Sequence, residues 1–131
     1  MPPLPDNKKR VVRILFLVDF LIGLTFSILF IFFPEIILNF INWPLTDSVS
    51  VRMFGGALLA LSGGSFLAMF KDEYKEIQLI LEIQIFWLII GEGILAFSHY
   101  SYGFPISAWY LDAIFIALFV CFIIVLNWIR Q

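Results

Sequence analysis

Residues 11–33 read VVRILFLVDFLIGLTFSILFIFF, a run interrupted by only two charges, Arg13 and Asp19. A helix needs about 20 predominantly apolar residues to cross the hydrocarbon core of a bilayer, and this run is long enough. Three further stretches have the same character: 51–70, 77–98 and 106–129. A lone strand in lipid would leave its backbone polar groups unsatisfied, so each stretch is expected to be helical. The connections are short, and helices joined by short loops pack antiparallel. The expected fold is therefore all-α: a single domain over residues 1–131, built as a transmembrane up-down four-helix bundle.

Composition agrees with lipid as the solvent. The chain is 62% hydrophobic, 18% aromatic and 14% charged, with a mean hydropathy of +1.00. Soluble domains are about 45–50% apolar and about 25% charged, and 131 residues cannot enclose this much apolar surface. The net charge of −2 points to no particular partner, and no basic stripe suggests nucleic acid. Cys121 is the single cysteine, so no intramolecular disulfide or CxxC redox pair can form; a small packing residue is expected there.

The basic residues orient the bundle. Lys8, Lys9, Arg10 and Arg13 open the first span, Lys71 and Lys75 lie between the second and third, and Arg130 closes the fourth. Only Arg52 falls on the other side. By the positive-inside rule both termini are expected to be cytoplasmic. The N-terminal run imitates a signal peptide, but it is too long for a typical apolar signal region and shows no A-x-A-like cleavage site. A retained first span, preceded by a frayed tail over residues 1–7, is expected.

The outer connection between the first two spans carries its own pattern. Pro34-Glu35 suits a helix start, and Ile36, Ile37, Phe40 and Ile41 fall on one face before Trp43-Pro44 ends the segment. A short interfacial helix after the first span is expected. Tyr100, Tyr102, Trp109 and Tyr110 are placed to anchor the outer membrane surface, and Trp128 the inner one.

Four carboxylates interrupt the apolar stretches: Asp19, Glu82, Glu92 and Asp112. A charged side chain at membrane depth costs about 2.5–3.5 kcal/mol on insertion scales, so each needs a partner, a proton or a water-filled cavity. Along the third span Gln78, Glu82, Ile85, Ile89, Glu92, Ala96 and His99 form one narrow face, which holds every strongly polar residue of the span except Gln84. That face is expected to turn into the bundle. Gly91 and Gly93 flank Glu92 and allow close approach of another backbone. With a rise of about 1.5 Å per residue, Glu92 and Asp112 lie roughly 7–8 Å outward of the midplane, and Asp19 and Glu82 roughly 5–8 Å inward. Arg52 opens the second span from outside, and its guanidinium fork is expected to pair with Glu92, Asp112 or both. Glu35 and His99 can extend this outer cluster. The network is expected to be either structural glue or the lining of a functional cavity.

The second span repeats small residues at four-residue spacing: Gly56, Ala60, Gly64 and Ala68. Such a seam serves packing within the bundle or a homodimer face; Ala113, Ala117 and Cys121 make a shorter one in the fourth span. The segment Arg52-x-x-Gly55-Gly56-Ala57-Leu58-Leu59-Ala60-Leu61 resembles the second helix of DoxX-like membrane proteins. The layout does too: Pro34 at the outer end of the first span, an interfacial loop, then Arg52 opening the second. The resemblance implies a compact four-helix bundle with Arg52 and Gly56 as the family positions; the expected location is the plasma membrane of a prokaryote. Many members have no assigned activity, and some associate with membrane oxidoreductases, including a thiosulfate:quinone oxidoreductase subunit.

Function is expected to be non-enzymatic: a small membrane bundle or an accessory subunit of a membrane complex, with the lipid bilayer as its first partner. No nucleophile–base pair is present, no metal site is expected, and a haem would need His99 with a methionine such as Met53, which no spacing demands. No cofactor is expected. One alternative is a proton-coupled small transporter. The chain resembles small multidrug transporters in size, but it has Asp19 in place of their first-helix glutamate and no inverted repeat. The other alternative is a redox subunit that binds quinone or lipid.

Overall fold

The computed structural model describes residues 3–43, 48–103, 106 and 109–131, the Tyr102 side chain excepted. Within them the chain is all-helical. The elements are α1 (Asp6–Phe32), α2 (Pro34–Phe40), α3 (Ser48–Ala68), α4 (Tyr74–Tyr102) and α5 (Trp109–Arg130). Four of these, all but α2, are long and apolar enough to cross a membrane.

Several boundaries differ from the apolar runs because polar residues continue the helices past them. α1 starts at Asp6, directly after extended Pro5 (φ −57°, ψ 146°), with an acidic residue in its first turn to suit the helix dipole. The expected frayed tail is correspondingly short. Met1 and Pro2 lie outside the described residues, but Leu4 is 5% exposed and packs into the core with Val12 and Phe16. α4 runs on to Tyr102, where Gly103 caps it in the left-handed region at φ 60° and donates its N–H to His99 O at 3.1 Å.

Phe33 separates α1 from α2, and Pro34 occupies the first turn of α2, where its missing N–H costs nothing. The face of α2 differs from the sequence expectation. Pro34, Leu38 and Ile41 turn inward, whereas Ile36 and Phe40 are exposed. Asn42 at φ 53° ends the segment, a conformation asparagine tolerates. The expected terminator Pro44 lies outside the described residues.

α1 lies closely along α3, and α4 along α5; α1 touches α5 and α3 touches α4 more lightly, while α3 and α5 do not meet. One core cluster joins Val12 and Phe16 of α1, Ala68 of α3, Ile77 and Leu81 of α4, and Phe122 and Leu126 of α5. This end of the molecule also gathers the basic residues, and is called the basic end below. The opposite end holds a thinner cluster of Phe30, Leu38, Ile41 and Leu58.

Much apolar surface remains outside. Met53, Phe86 and Phe97 are each more than 60% exposed, and the best window of each long helix is only 22–28% buried inside the chain. Water would make such a surface an aggregation hazard, whereas acyl chains satisfy it. Cys121, expected as a packing residue, is exposed, as are Ala113 and Ala117 on the same stripe of α5. Tyr100, Trp109 and Tyr110 are exposed; the Tyr102 side chain lies outside the described residues.

Candidate functional site

Glycine and serine bring α1 and α3 together. A Cβ built on Gly23 would lie 2.6 Å from Ser62 Cβ, and one on Gly55 would lie 2.9 Å from Phe30 Cβ. Between α4 and α5 the Phe115 ring sits over Gly91, whose Cβ would come within 2.8 Å of it. The two tight pairs, α1–α3 and α4–α5, share a buried core at the basic end and a thinner cluster at the opposite end. The gap between them is a cavity of about 400 Å³, within the range of about 300–1,000 Å³ common for ligand pockets.

The cavity walls are aromatic. Phe30 and Phe54 pack edge to face at 5.4 Å, and Phe54 lies 6.2 Å from Trp87; Phe26 and Phe115 line the same space. The floor, toward the basic end, is polar and is supplied by Asp19, Ser62 and Gln84. Ser65, wholly buried behind it, donates to Asp19 Oδ2 at 2.5 Å. Gln84 Nε2 donates to Ser65 Oγ at 2.8 Å and to Leu61 O at 3.0 Å. Three helices thus meet in one hydrogen-bonded group.

Gln84 is the residue the sequence reading set aside. The buried face of α4 is Ile77, Leu81, Gln84, Leu88 and Gly91. The expected inward stripe of Gln78, Glu82, Ile85, Ile89, Glu92, Ala96 and His99 instead lies beside it. Ile89 and Ala96 are exposed and the rest half-buried, and the stripe's polar members meet α5.

At the basic end Gln78 Nε2 and Arg130 Nη2 donate to Glu82 Oε1 at 2.7 and 2.8 Å. Lys9 and Arg13 both reach Asp72 Oδ1, at 3.0 and 3.2 Å, and tie α1 to the α3–α4 connection. The hydrogen bond and positive charge of Lys9, helped by Arg13, hold the Asp72 carboxyl below its ordinary pKa. Lys8 Nζ donates to Trp128 O at 3.0 Å.

At the opposite end His99 Nε2 donates to Asp112 Oδ2 at 2.6 Å, and the imidazole stacks on Trp109 at 4.3 Å. Asp112 is 1% exposed. Glu92 lies within electrostatic reach of both His99 and Asp112. Asp112 Oδ1 and Glu92 Oε2 are buried without a hydrogen-bond partner among the described residues.

Arg52 does not join this group. It is exposed, and among the described residues no ion pair reaches it from Glu92 or Asp112. The geometry explains this: α3 does not touch α5, which carries Asp112, and Arg52 shares the outward stripe of α3 with Gly56 and Ala60. The small-residue seam follows suit. Gly56 and Ala60 are exposed, Gly64 is half-buried and only Ala68 is buried, and a Cβ on Gly56 or Gly64 would meet nothing within 4 Å. The face that packs on α1 lies one residue away, at Gly55, Ser62 and Ser65.

Asp19, Asp112 and Glu82 thus belong to three separate hydrogen-bonded groups. Among the described residues no set of three or more His, Cys, Asp or Glu is placed to hold a metal ion. No protein-family model matches the chain, and neither do any curated protein sequence or solved structure.

Proposed function

We propose that the chain is an integral membrane protein that works by binding, holding an apolar molecule with a small polar head in the cavity between its two helix pairs. The carrying observation is the combination of about 400 Å³ of space, aromatic walls and a buried Asp19–Ser65–Gln84 floor. Ligand sites have this composition, mostly apolar with a few placed polar groups. The surrounding bilayer is the natural source of such a molecule, and the reading covers both a lipid and a quinone.

The same proposal takes the architecture as an up-down bundle. In its support, one core cluster joins the start of α1, the end of α3, the start of α4 and the end of α5. The basic residues at that end favour cytoplasmic termini, and the proposal places the chain in the plasma membrane of a prokaryote. The DoxX-like resemblance rests on Arg52, Gly56 and the four-span layout. Arg52, Gly56 and Ala60 share an exposed stripe, which suits an accessory subunit or a homodimer and is resolved by the mass of the purified particle. A proton relay draws less support, because the acids fall into separate groups.

The test is native mass spectrometry of the protein released from membranes, with lipid extraction. The reading expects a co-purifying apolar molecule in the wild type that is lost in Leu95→Trp, which fills the cavity from its lining. Equal adducts on a folded Leu95→Trp variant would refute it.

A further inference from the structure

The hydrogen-bond directions at the cavity floor determine what kind of head group it takes. Leu61 O can only accept, so the Gln84 amide must turn its nitrogen toward it, and both Nε2 hydrogens are then committed, one to Leu61 O and one to Ser65 Oγ. The Ser65 hydroxyl hydrogen goes to Asp19 Oδ2. The Ser62 hydroxyl, also in the floor, donates to Leu59 O at 3.1 Å. With Asp19 as the carboxylate, every hydrogen-bond donor of the floor is consumed inside the protein.

What remains are acceptors. Asp19 Oδ1 and Gln84 Oε1 make no hydrogen bond to a described residue, and both side chains line the cavity. Their residues are 9% and 4% exposed, and both oxygens keep the little accessible surface that faces the cavity, since neither is among the fully buried atoms without a partner. Among the described residues no basic side chain forms an ion pair with Asp19. Trp43 and Trp87 also line the cavity, Trp87 beside Phe54 of the aromatic wall.

We infer that the cavity selects amphiphiles whose head group donates hydrogen bonds, a hydroxyl or an ammonium, over those whose head only accepts, such as a ketone, ether or quinone carbonyl. This rests on the binding reading above and narrows it. A donor head reaches two waiting oxygens. An acceptor-only head would bring oxygen against oxygen and leave three buried polar groups unsatisfied, the asymmetry by which sites built for a hydroxyl reject analogues that lack it.

The test uses three probes of equal chain length, dodecylamine, dodecanol and methyl decyl ketone. They compete for the full chain in micelles, and bound mass is read by native mass spectrometry. The amine and the alcohol are expected to outcompete the ketone by about tenfold or more, the equivalent of one well-made hydrogen bond to a charged or buried group. Asp19→Asn keeps the side-chain shape and the acceptor for Ser65, but turns an NH₂ toward the cavity; it is expected to shrink or invert that preference.

A ketone bound as well as the amine and alcohol overturns the donor rule while leaving ligand binding intact. Binding of none of the probes overturns the binding reading itself. Amine binding that persists in Leu95→Trp places the amine outside the cavity and also overturns the rule, as does an unchanged preference in Asp19→Asn. If Asp19→Asn does not fold, the wild-type ranking alone decides.

Discussion

Replacing Gly55 and Gly56, neighbours in the chain, by alanine perturbs two adjacent faces of α3, one packed and one open. A methyl on Gly55 would stand 2.9 Å from Phe30 Cβ and Ile31 Cγ1 and 3.2 Å from the Ile31 backbone nitrogen. Backbone cannot yield as a flexible side chain does, so α1 and α3 must move apart. Such overpacking costs about 1–3 kcal/mol. Against that stands the intrinsic helix preference of alanine over glycine, about 0.8–1.0 kcal/mol. Gly55→Ala is therefore expected to lose up to about 2 kcal/mol. A methyl on Gly56 meets nothing within 4 Å, so Gly56→Ala keeps the helix-propensity gain, up to about 1 kcal/mol. The two variants should differ by about 1–3 kcal/mol, or one to two factors of ten in the unfolding equilibrium. Gly23→Ala, with a Cβ 2.6 Å from Ser62 Cβ, should behave like Gly55→Ala. The assay is unfolding in mixed micelles at increasing SDS fraction, followed by far-ultraviolet circular dichroism. If Gly56→Ala is the more destabilised of the pair, the helix face assigned here to the α1–α3 contact is refuted.

Three further outcomes follow from the polar groups. His99→Ala removes the hydrogen-bond partner of Asp112 Oδ2 and leaves a 1%-exposed carboxylate unsatisfied, for an expected loss of about 1–3 kcal/mol; a wild-type SDS midpoint would contradict that role. Arg52→Ala, at an exposed position without an ion pair among the described residues, should stay within about 0.5 kcal/mol of wild type, and a larger loss in thermal melts would restore the pairing with Glu92 or Asp112. Asp72 has its folded pKa held below the ordinary aspartate value of about 3.9 by Lys9 and Arg13. Its contribution is therefore present above that value and lost as pH falls through the depressed one. Asp72→Asn should flatten the acid limb of melting temperature against pH below about pH 4, slightly and less so in high salt because the pair is exposed; identical limbs would refute the link.

The four long helices were legible because length and hydropathy alone decide a span, and α2 announced itself through Pro34-Glu35. The helix ends were less so. Residues 1–7 look like a frayed tail and Lys8-Lys9-Arg10 like a plain orientation signal, yet Leu4 finds the core and Lys8 and Lys9 reach Trp128 and Asp72. The inward face of α4 was read wrongly, and the role of the seam on α3 stayed open between two readings, for one reason. In lipid the outside is as apolar as the inside, so little amphipathic contrast marks the buried face. On α3 two small-residue stripes run side by side, and the regular one at Gly56, Ala60 and Gly64 faces out, while Gly55 and Ser62 do the packing. On α4 the aligned polar stripe suggested the interior, but Gln84, its single exception, is the residue that bonds across to α3. His99 and Asp112 sit far apart in sequence distance from Asp19, and their separation into distinct groups depends on which helices touch. Asp19, which needed a partner, a proton or a cavity, pointed to the polar floor, but the outline of the cavity had no signal in the chain, since it lies between two tight helix pairs.

The most direct test of the account is electron density of the protein crystallised from a lipid phase. Density for a single elongated molecule between Phe54 and Phe115, with its head at Asp19 and Gln84, is the predicted result. Helix pairs closed against each other there, with Trp87 and Phe115 filling the space, would contradict it.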